Sequence, residues 1–142
     1  MTTIATDGKS MAGDGLLNSN AEWVVAMDFK KVRLIGKDVV GVAGDARTCE
    51  KFFSAYEAGE TTSFYSGAEY AAVALTKNGA FAYDGSYPVP VAVSLPFAIG
   101  NGAKFAMGAM DAGASPIEAV RIASTRCLLT GGDIYELPRA GR

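Results

Sequence analysis

The sequence has 142 residues, about half of them apolar and a fifth charged, with a net charge of −2 at neutral pH. This composition predicts one soluble domain over residues 1–142 that is long enough to bury a hydrophobic core. The small net charge argues against nucleic acid and anionic membranes as partners, and the absence of histidine excludes Ser-His-Asp and Cys-His catalytic sites and most zinc sites.

The chain is predicted to begin with a β-hairpin. Residues 2–6 are predicted to form a strand, and Asp7-Gly8 is a common two-residue hairpin turn that leads into a return strand ending at Asp14. With that turn, the register places Thr2 opposite Gly13, so that Asp14 lies just beyond the start of the chain. Turn chemistry alone therefore predicts a carboxylate near the amino end.

Strands and one helix are predicted in the next part of the chain. The strands cover Trp23–Met27, Lys30–Ile35 and Val39–Ala43. Asp45 is a suitable N-cap for a helix that runs to about Ala58, with Gly59 as its C-cap. Its core-facing stripe has helical spacing and consists of Cys49, Phe52, Phe53 and Tyr56. Residues 60–68 are polar and are predicted to be irregular.

The second half is predicted to contain strands, then two helices, then a last strand. The strands cover Tyr70–Thr76, Ala80–Tyr83, Val89–Val93 and Phe97–Ile99, with an Asn78-Gly79 turn between the first two. The helices cover Ala103–Ala112 and the segment from the capping box Ser115-Pro116-Ile117-Glu118 to about Leu128, and the last strand covers Asp133–Leu137. Strands and helices in separate blocks predict an α+β fold with mostly antiparallel sheets.

A hydrolase without histidine needs another base. An N-terminal threonine supplies one, because its own α-amine, with an unperturbed pKa of about 8, can take the proton from its hydroxyl. Thr2 is small enough for an aminopeptidase to remove Met1, which leaves Thr2 as the new terminus. Threonine is also common at this position in proteins without such chemistry, so the interpretation depends on the rest of the chain.

Short motifs occur in the order, and at nearly the spacing, seen in bacterial HslV, the proteasome-like peptidase, and in proteasome β subunits. They are Met1-Thr2-Thr3-Ile4, Met11-Ala12-Gly13-Asp14-Gly15, Lys30-Lys31-Val32-Arg33, Gly41-Val42-Ala43-Gly44-Asp45 and Ala98-Ile99-Gly100-Asn101-Gly102. The chain therefore resembles this family of N-terminal-nucleophile hydrolases over most of its length. The resemblance implies a four-layer αββα sandwich, in which two antiparallel sheets pack between helical layers.

The resemblance also implies a catalytic set. Thr2 looks like the nucleophile, and Lys31 resembles the buried family lysine whose positive charge lowers the effective pKa of that nucleophile. Asp14 resembles the aspartate that pairs with this lysine. Gly44 resembles the glycine whose N–H forms the oxyanion hole, at a helix start that favours negative charge. One wall of the cleft would pair with substrate backbone as an added strand, through Gly15, Leu16, Leu17 and Asn18.

The chain departs from the family pattern at several positions. Asn101 stands where the family has a serine near the terminal amine, and it joins the predicted catalytic set. Cys127 and Thr130 stand where β subunits carry an aspartate and a serine. Family positions that bind a monovalent cation, such as Na⁺, through backbone carbonyls correspond to Gly132, Tyr135 and Pro138. The second long helix of the family is missing between Tyr56 and Tyr70, so one helical layer is reduced.

The sequence therefore predicts a threonine-type peptidase or amide hydrolase that acts through an acyl-enzyme on Thr2 and needs no organic cofactor. The resemblance implies a peptide or protein substrate, a homo-oligomer and an AAA+ unfoldase as partner. Two alternatives stay open: a non-catalytic protein that keeps the fold for assembly or binding, and a small-molecule amidase without an unfoldase. With no signal-peptide pattern and no apolar run of ~20 residues, we expect a cytoplasmic protein.

Overall fold

The computed structural model describes residues 2–19, 23–61, 69–85 and 87–139. In the first half of the chain it contains β1 (Thr3–Thr6), β2 (Ser10–Asp14), β3 (Leu17–Ser19), β4 (Trp23–Ala26), β5 (Val32–Ile35), β6 (Asp38–Ala43) and α1 (Ala46–Ala58). In the second half it contains β7 (Ala71–Thr76), β8 (Gly79–Asp84), β9 (Tyr87–Ala92), β10 (Phe97–Gly100), α2 (Ala103–Asp111), α3 (Pro116–Ser124) and β11 (Ile134–Pro138). The order of the predicted elements is confirmed, and β3 is an additional strand in a segment that was predicted to be a loop.

The strands form antiparallel sheets. A four-stranded sheet has the order β10-β1-β2-β11, and a five-stranded sheet has the order β5-β6-β7-β8-β9. The hairpin β3-β4 forms a two-stranded sheet of its own. Each pair of neighbouring strands is antiparallel, which confirms the predicted α+β class. β9 is an edge strand, as its prolines predict.

The five-stranded sheet has a hydrophobic cluster on each of its faces. On one face, α1 packs its apolar stripe against the sheet, and this cluster includes Val40, Cys49, Phe52, Ala72 and Tyr83. The other face packs against the four-stranded sheet, and that cluster includes Ile4, Met11, Val39, Val73 and Leu75. Full burial of one such Val, Leu, Ile or Phe side chain contributes ~1.5–3 kcal/mol, so these contacts hold the two sheets together.

The helices α2 and α3 cover the other face of the four-stranded sheet. The sheet presents small side chains there, namely Ala5, Ala12 and Ala98, and the helices contribute Ala106, Met110, Ala119, Val120 and Ala123. Alanine on both sides lets the helix axes approach the sheet closely. The carboxyl ends of β2 and β6 and the amino end of β1 are thereby fixed near one another, and these ends carry the candidate site residues.

The first hairpin has a different register from the predicted one. Ile4, not Thr2, lies opposite Gly13, so the two-residue turn at Asp7-Gly8 is wrong. The carboxylate of Asp7 accepts hydrogen bonds from the backbone N–H groups of the two residues at the turn exit, Lys9 and Ser10. This side-chain bonding stabilises a wider turn. The shift of two residues preserves which face each side chain occupies, and it places Asp14 beside Thr3.

The ends of α1 agree with the prediction. Asp45 is the N-cap and accepts a hydrogen bond from the backbone N–H of Thr48 at 2.8 Å. Gly59 ends the helix in the left-handed conformation with φ +73°. The predicted polar segment that replaces the second family helix falls largely on residues 62–68, which lie outside the described residues. The reduction of this helical layer therefore stays a prediction.

Two boundaries near turns differ from the prediction. The second hairpin turns at Lys77-Asn78, because Thr76 pairs with Gly79. The predicted capping box of Ser115 and Glu118 is present, but α3 ends at Ser124, well before Leu128. Leu128 is 94% exposed, so its side chain buries no apolar surface that would stabilise a longer helix. Within the described ranges, none of the helices is long and apolar enough to cross a membrane.

Candidate active site

A buried ion pair lies at the centre of the candidate site. The ammonium nitrogen Nζ of Lys31 is 3.2 Å from both carboxylate oxygens of Asp14. The side chains are 2% and 0% exposed; Asp14 ends β2 of the four-stranded sheet, and Lys31 directly precedes β5 of the five-stranded sheet. Burial lowers the pKa of Lys31, and the charge of Asp14 opposes that shift. Because an unpaired buried charge is costly, each of these groups makes the other tolerable in the core.

Asp14 also binds two backbone amides. Its Oδ1 accepts a hydrogen bond from the N–H of Thr3 at 3.0 Å, and its Oδ2 accepts one from the N–H of Gly131 at 3.1 Å. Asp14 ends β2, Thr3 begins β1 and Gly131 precedes β11, so one carboxylate joins three neighbouring segments. The amino end of the chain is thus fixed next to Lys31 through Asp14.

Thr2 lies at the junction of this network with a small cavity. Its side chain is 1% exposed, and with Gly44 and Asn101 it lines a cavity of about 240 Å³. Gly100 has φ +97°, and a Cβ there would overlap the carbonyl oxygen of Thr2. A glycine is therefore required at the end of β10 for the chain start to pack beside it. Three residues of the predicted catalytic set, Thr2, Gly44 and Asn101, therefore line one cavity.

Gly44 separates β6 from α1 and contributes to a second cavity. This cavity has a volume of about 520 Å³ and is lined in part by Lys31 and Gly44, so the two cavities share Gly44. The first turn of α1 forms its base, and helix N-termini carry backbone N–H groups and a positive partial charge. Helix N-termini of this kind can hold an anion, and at this one the carboxylate of Asp45 already accepts a hydrogen bond from Thr48.

Three of the four residues predicted to form a substrate wall border the larger cavity. Leu16, Leu17 and Asn18 line the larger cavity. Gly15 is a correction, because its N–H donates to the carbonyl of Gly131 and its own carbonyl accepts from Phe29. Because both backbone groups of Gly15 are hydrogen-bonded within the protein, the prediction of strand pairing with substrate now applies only to the three residues that follow it.

Comparison with known proteins was made by sequence and by structure. The sequence matches no protein-family model and no curated protein. Among solved structures, eukaryotic HslV from Trypanosoma brucei superposes with a TM-score of 0.70 at 19% identity, covering 96% of this chain and 98% of that one. The chain has the HslV fold. This finding agrees with the resemblance that the sequence motifs carried.

A second protein gives the same result. BPH from Thiobacillus denitrificans matches with a TM-score of 0.69 at 16% identity, covering 98% of this chain and 97% of that one. The same BPH in complex with epoxomicin matches with a TM-score of 0.73 at 15% identity and the same coverage. At these identities the likeness establishes the fold alone.

The HslV fold here includes supporting residues that the sequence analysis gave no role. The hydroxyl oxygens of Thr3 and Thr130 are 2.7 Å apart and share a hydrogen bond. A Cβ at Gly102 would overlap the hydroxyl of Thr3, so this bond depends on that glycine. Thr130 was noted only as the counterpart of a family serine. The sequence analysis gave Thr3 no role because the predicted hairpin register did not place Thr3 next to Asp14.

Two of the three residues predicted to bind a monovalent cation through their carbonyls lie in one strand. Tyr135 and Pro138 both lie in β11, paired with Gly13 and Ser10 of β2. Successive carbonyls of a strand point to opposite sides, so carbonyls three positions apart diverge. In the described part of the chain, no group of three acidic or cysteine side chains forms a metal site either. A bound monovalent cation stays a prediction.

Cys49 is excluded as an alternative nucleophile by its burial. Burial raises the pKa of this thiol to about 12, so its reactive thiolate is scarce at neutral pH. We expect iodoacetamide to label the partly exposed Cys127, but not Cys49, in the folded protein, and to label both in denaturant. Peptide mapping by mass spectrometry gives the result. Rapid labelling of Cys49 in the folded protein would contradict its burial between α1 and the five-stranded sheet.

Proposed function

We propose that this chain is a threonine-type amide hydrolase of the HslV and proteasome β-subunit kind, with the four-layer αββα arrangement. In this proposal it acts through an acyl-enzyme on Thr2 after removal of Met1. The observation that carries the proposal is the buried pair of Lys31 and Asp14, together with the hydrogen bond from the N–H of Thr3 to that same Asp14. A buried ammonium is costly in a protein core, and a buried ion pair beside a cavity is typical of functional sites.

The proposed reaction begins with attack by the hydroxyl of Thr2 on an amide carbonyl carbon. The hydroxyl proton passes to the free α-amine of Thr2, directly or through a water molecule, and a tetrahedral oxyanion forms. The C–N bond then breaks, the leaving nitrogen takes the proton, and an ester on Thr2 remains. Water adds to this ester with the α-amine again as base, which releases the acid and restores the hydroxyl.

Lys31 and Asp14 prepare the nucleophile in this scheme. The ammonium of Lys31 favours the negatively charged form of a nearby hydroxyl, and it acts strongly because little solvent reaches it. Asp14 holds the ammonium in place and, through the N–H of Thr3, holds the backbone that carries Thr2. Asn101 lines the Thr2 cavity, where its amide can bind the α-amine or a bridging water.

The oxyanion and the substrate have separate places in the proposal. The backbone N–H of Gly44 and the first turn of α1 stabilise the oxyanion, an interaction that strengthens as charge develops. The larger cavity, at about 520 Å³, receives the acyl side of the substrate beside β3. The smaller cavity, which Thr2 and Gly100 line, receives the leaving group.

A peptide or protein segment is the first candidate substrate. β3 borders the larger cavity and pairs only with β4 among the described strands, so its other edge can accept an extended peptide. A small-molecule amide is the second candidate, because the cavity volume is within the range of small-ligand sites. In the first case we propose a cytoplasmic homo-oligomer that receives unfolded chains from an AAA+ unfoldase.

Amide hydrolysis by a chain that begins at Thr2 tests this proposal. The chain is made as a cleavable fusion that leaves Thr2 as the terminus, and a matched protein retains Met1. We expect the first to release aminomethylcoumarin from acylated peptide substrates and the second to release none, because its α-amine is part of a peptide bond. Equal rates for the two proteins would contradict the proposed base.

The pH dependence of hydrolysis follows from two groups with opposite requirements. Activity rises as the α-amine of Thr2 loses its proton, near its unperturbed pKa of about 8. Activity falls as Lys31 loses its proton, and burial lowers the pKa of Lys31 from 10.5. We therefore expect a bell-shaped profile whose alkaline limb lies below pH 10.5.

Stability has the opposite slope in that alkaline range. Because the folded pKa of Lys31 is lowered, the unfolded chain binds more protons between that pKa and the ordinary value. The contribution of Lys31 to the free energy of unfolding therefore rises with pH there, while activity falls. Denaturant titrations in parallel with rate measurements distinguish this from simple unfolding at high pH, which would lower both together.

A further inference from the structure

The hydroxyl of Tyr135 binds to the edge of the five-stranded sheet, next to Lys31. β5 is an edge strand of the five-stranded sheet, and the carbonyl of Lys31 points inward, accepting a hydrogen bond from the N–H of Val42 at 3.0 Å. Successive residues of a strand alternate in direction, so the N–H and C=O of Val32 point outward from the edge. Val32 is 1% exposed, and its outward backbone groups need partners within the protein.

One hydroxyl provides both partners. The hydroxyl of Tyr135 accepts a hydrogen bond from the N–H of Val32 at 2.7 Å and donates one to the carbonyl of Val32 at 3.0 Å. It can do both only while it holds its proton, and burial raises the pKa of Tyr135. The Nζ atom of Lys30 lies 4.1 Å from the centre of the ring and covers one of its faces.

This contact crosses the same sheet interface as the ion pair. Tyr135 lies in β11 opposite Gly13, the residue before Asp14. A Cβ at Gly13 would lie only 2.9 Å from Cγ2 of Val32, so glycine permits a close approach of β2 to β5. The residue after Lys31 is therefore held against the residue before Asp14 by a close backbone contact and by the Tyr135 hydroxyl.

We infer that Tyr135 is a positioning residue, whose hydroxyl fixes the backbone at Val32 so that Lys31 reaches Asp14 beside the nucleophile. The inference rests on the proposed function but concerns no atom that touches substrate. Without the hydroxyl, the outward N–H and C=O of Val32 lose their partners and the start of β5 moves to find others. A displacement of ~1 Å near a catalytic group lowers rates by up to ~10²-fold.

The variant Tyr135→Phe tests this inference, with Tyr56→Phe as the matched control. The hydroxyl of Tyr56 donates to Asp38 at 2.7 Å, at the hairpin end of β5 and β6 that lies away from Lys31. We expect Tyr135→Phe to lower kcat by about 10- to 100-fold with little change in KM, and to shift the alkaline limb of the pH profile. We expect Tyr56→Phe to change neither. An unaltered kcat and pH profile in Tyr135→Phe would overturn the inference.

A second measurement decides the matter without activity. A buried, hydrogen-bonded lysine ammonium exchanges protons slowly and gives a ¹⁵N NMR signal, which the variant Lys31→Arg assigns. We expect this signal in the wild type and in Tyr56→Phe, and its loss or broadening in Tyr135→Phe. An unchanged signal in Tyr135→Phe overturns the inference even if the rate falls. If the wild type has the signal and Tyr135→Phe loses it, but no hydrolysis is found, the proposed function fails and the positioning role stands.

Discussion

Replacing Thr2 by alanine is expected to abolish amide hydrolysis. Alanine in the second position still allows removal of Met1, so the α-amine remains free and only the attacking hydroxyl is lost. Loss of a nucleophile lowers kcat by at least about 10³-fold in enzymes that act through an acyl intermediate. Thr2 is 1% exposed, and the removed atoms are few, so the free energy of unfolding should fall by only about 1–2 kcal/mol.

Serine at this position is the matched control for the missing hydroxyl. Thr2→Ser keeps the attacking oxygen and the α-amine and removes one methyl group, so we expect it to keep hydrolysis within about tenfold of the wild-type rate. Rates and intact masses are measured for both variants, the latter to prove that Met1 is absent. Full activity in Thr2→Ala would refute the assignment of Thr2 and return attention to a binding or assembly role.

Removal of the Lys31 charge is expected to affect both stability and hydrolysis. Lys31→Met replaces the ammonium by an apolar group of similar length and leaves Asp14, which is 0% exposed, without its cation. Breaking a buried pair on one side costs about 3–5 kcal/mol. We expect a loss of that size in urea titrations, and loss of hydrolysis because nothing favours ionisation of the Thr2 hydroxyl.

A double variant separates these two effects. Lys31→Met combined with Asp14→Asn removes both charges, and the single amide oxygen of Asn can still accept one of the two backbone hydrogen bonds that Asp14 accepts from Thr3 and Gly131. We expect it to recover much of the lost stability, with a coupling energy of about 1–3 kcal/mol, and to remain inactive. Hydrolysis that returned together with stability would show that the ion pair is structural only and would remove its proposed catalytic role.

The sequence predicted those parts of the fold that local chemistry determines. The Asp45 N-cap, the Gly59 C-cap and the Ser115 capping box each arise from side chains within a few residues of one another, and all are present. The apolar stripe of α1 was equally readable, because burial of one helix face requires that spacing. The motif resemblance then placed Thr2, Lys31 and Gly44 together, which composition alone does not do.

Other parts depended on contacts that local sequence does not show. The width of the first turn was set by the Asp7 carboxylate, which bonds two backbone N–H groups and moves the register by two residues. That shift gives Asp14 its bond to Thr3 rather than a place beyond the chain start. The role of Tyr135 was hidden for a similar reason, since it bonds to Val32, which is more than a hundred positions away.

Hydrogen bonds within the protein also remove Gly15 from the predicted substrate wall. Glycine is typical of flexible loops, but Gly15 is packed between Met27 and Asp133, with no room for a Cβ. Its N–H donates to the carbonyl of Gly131 and its carbonyl accepts from the N–H of Phe29. These backbone groups are therefore not available to a substrate. Periodicity and motif order carry no information on which backbone groups are already hydrogen-bonded within the protein. They therefore do not predict which backbone groups can bind a substrate.

The central claim is that Thr2 is a nucleophile whose own amine is its base. The most direct test is the intact mass of the Met1-free chain before and after exposure to epoxomicin, a peptide epoxyketone that forms its ring adduct with both the hydroxyl and the free amine of an N-terminal threonine. The account predicts a gain of one probe mass in the wild type and none in Thr2→Ala or Lys31→Ala. A folded, Met1-free wild-type chain that stays unmodified at saturating probe would contradict it.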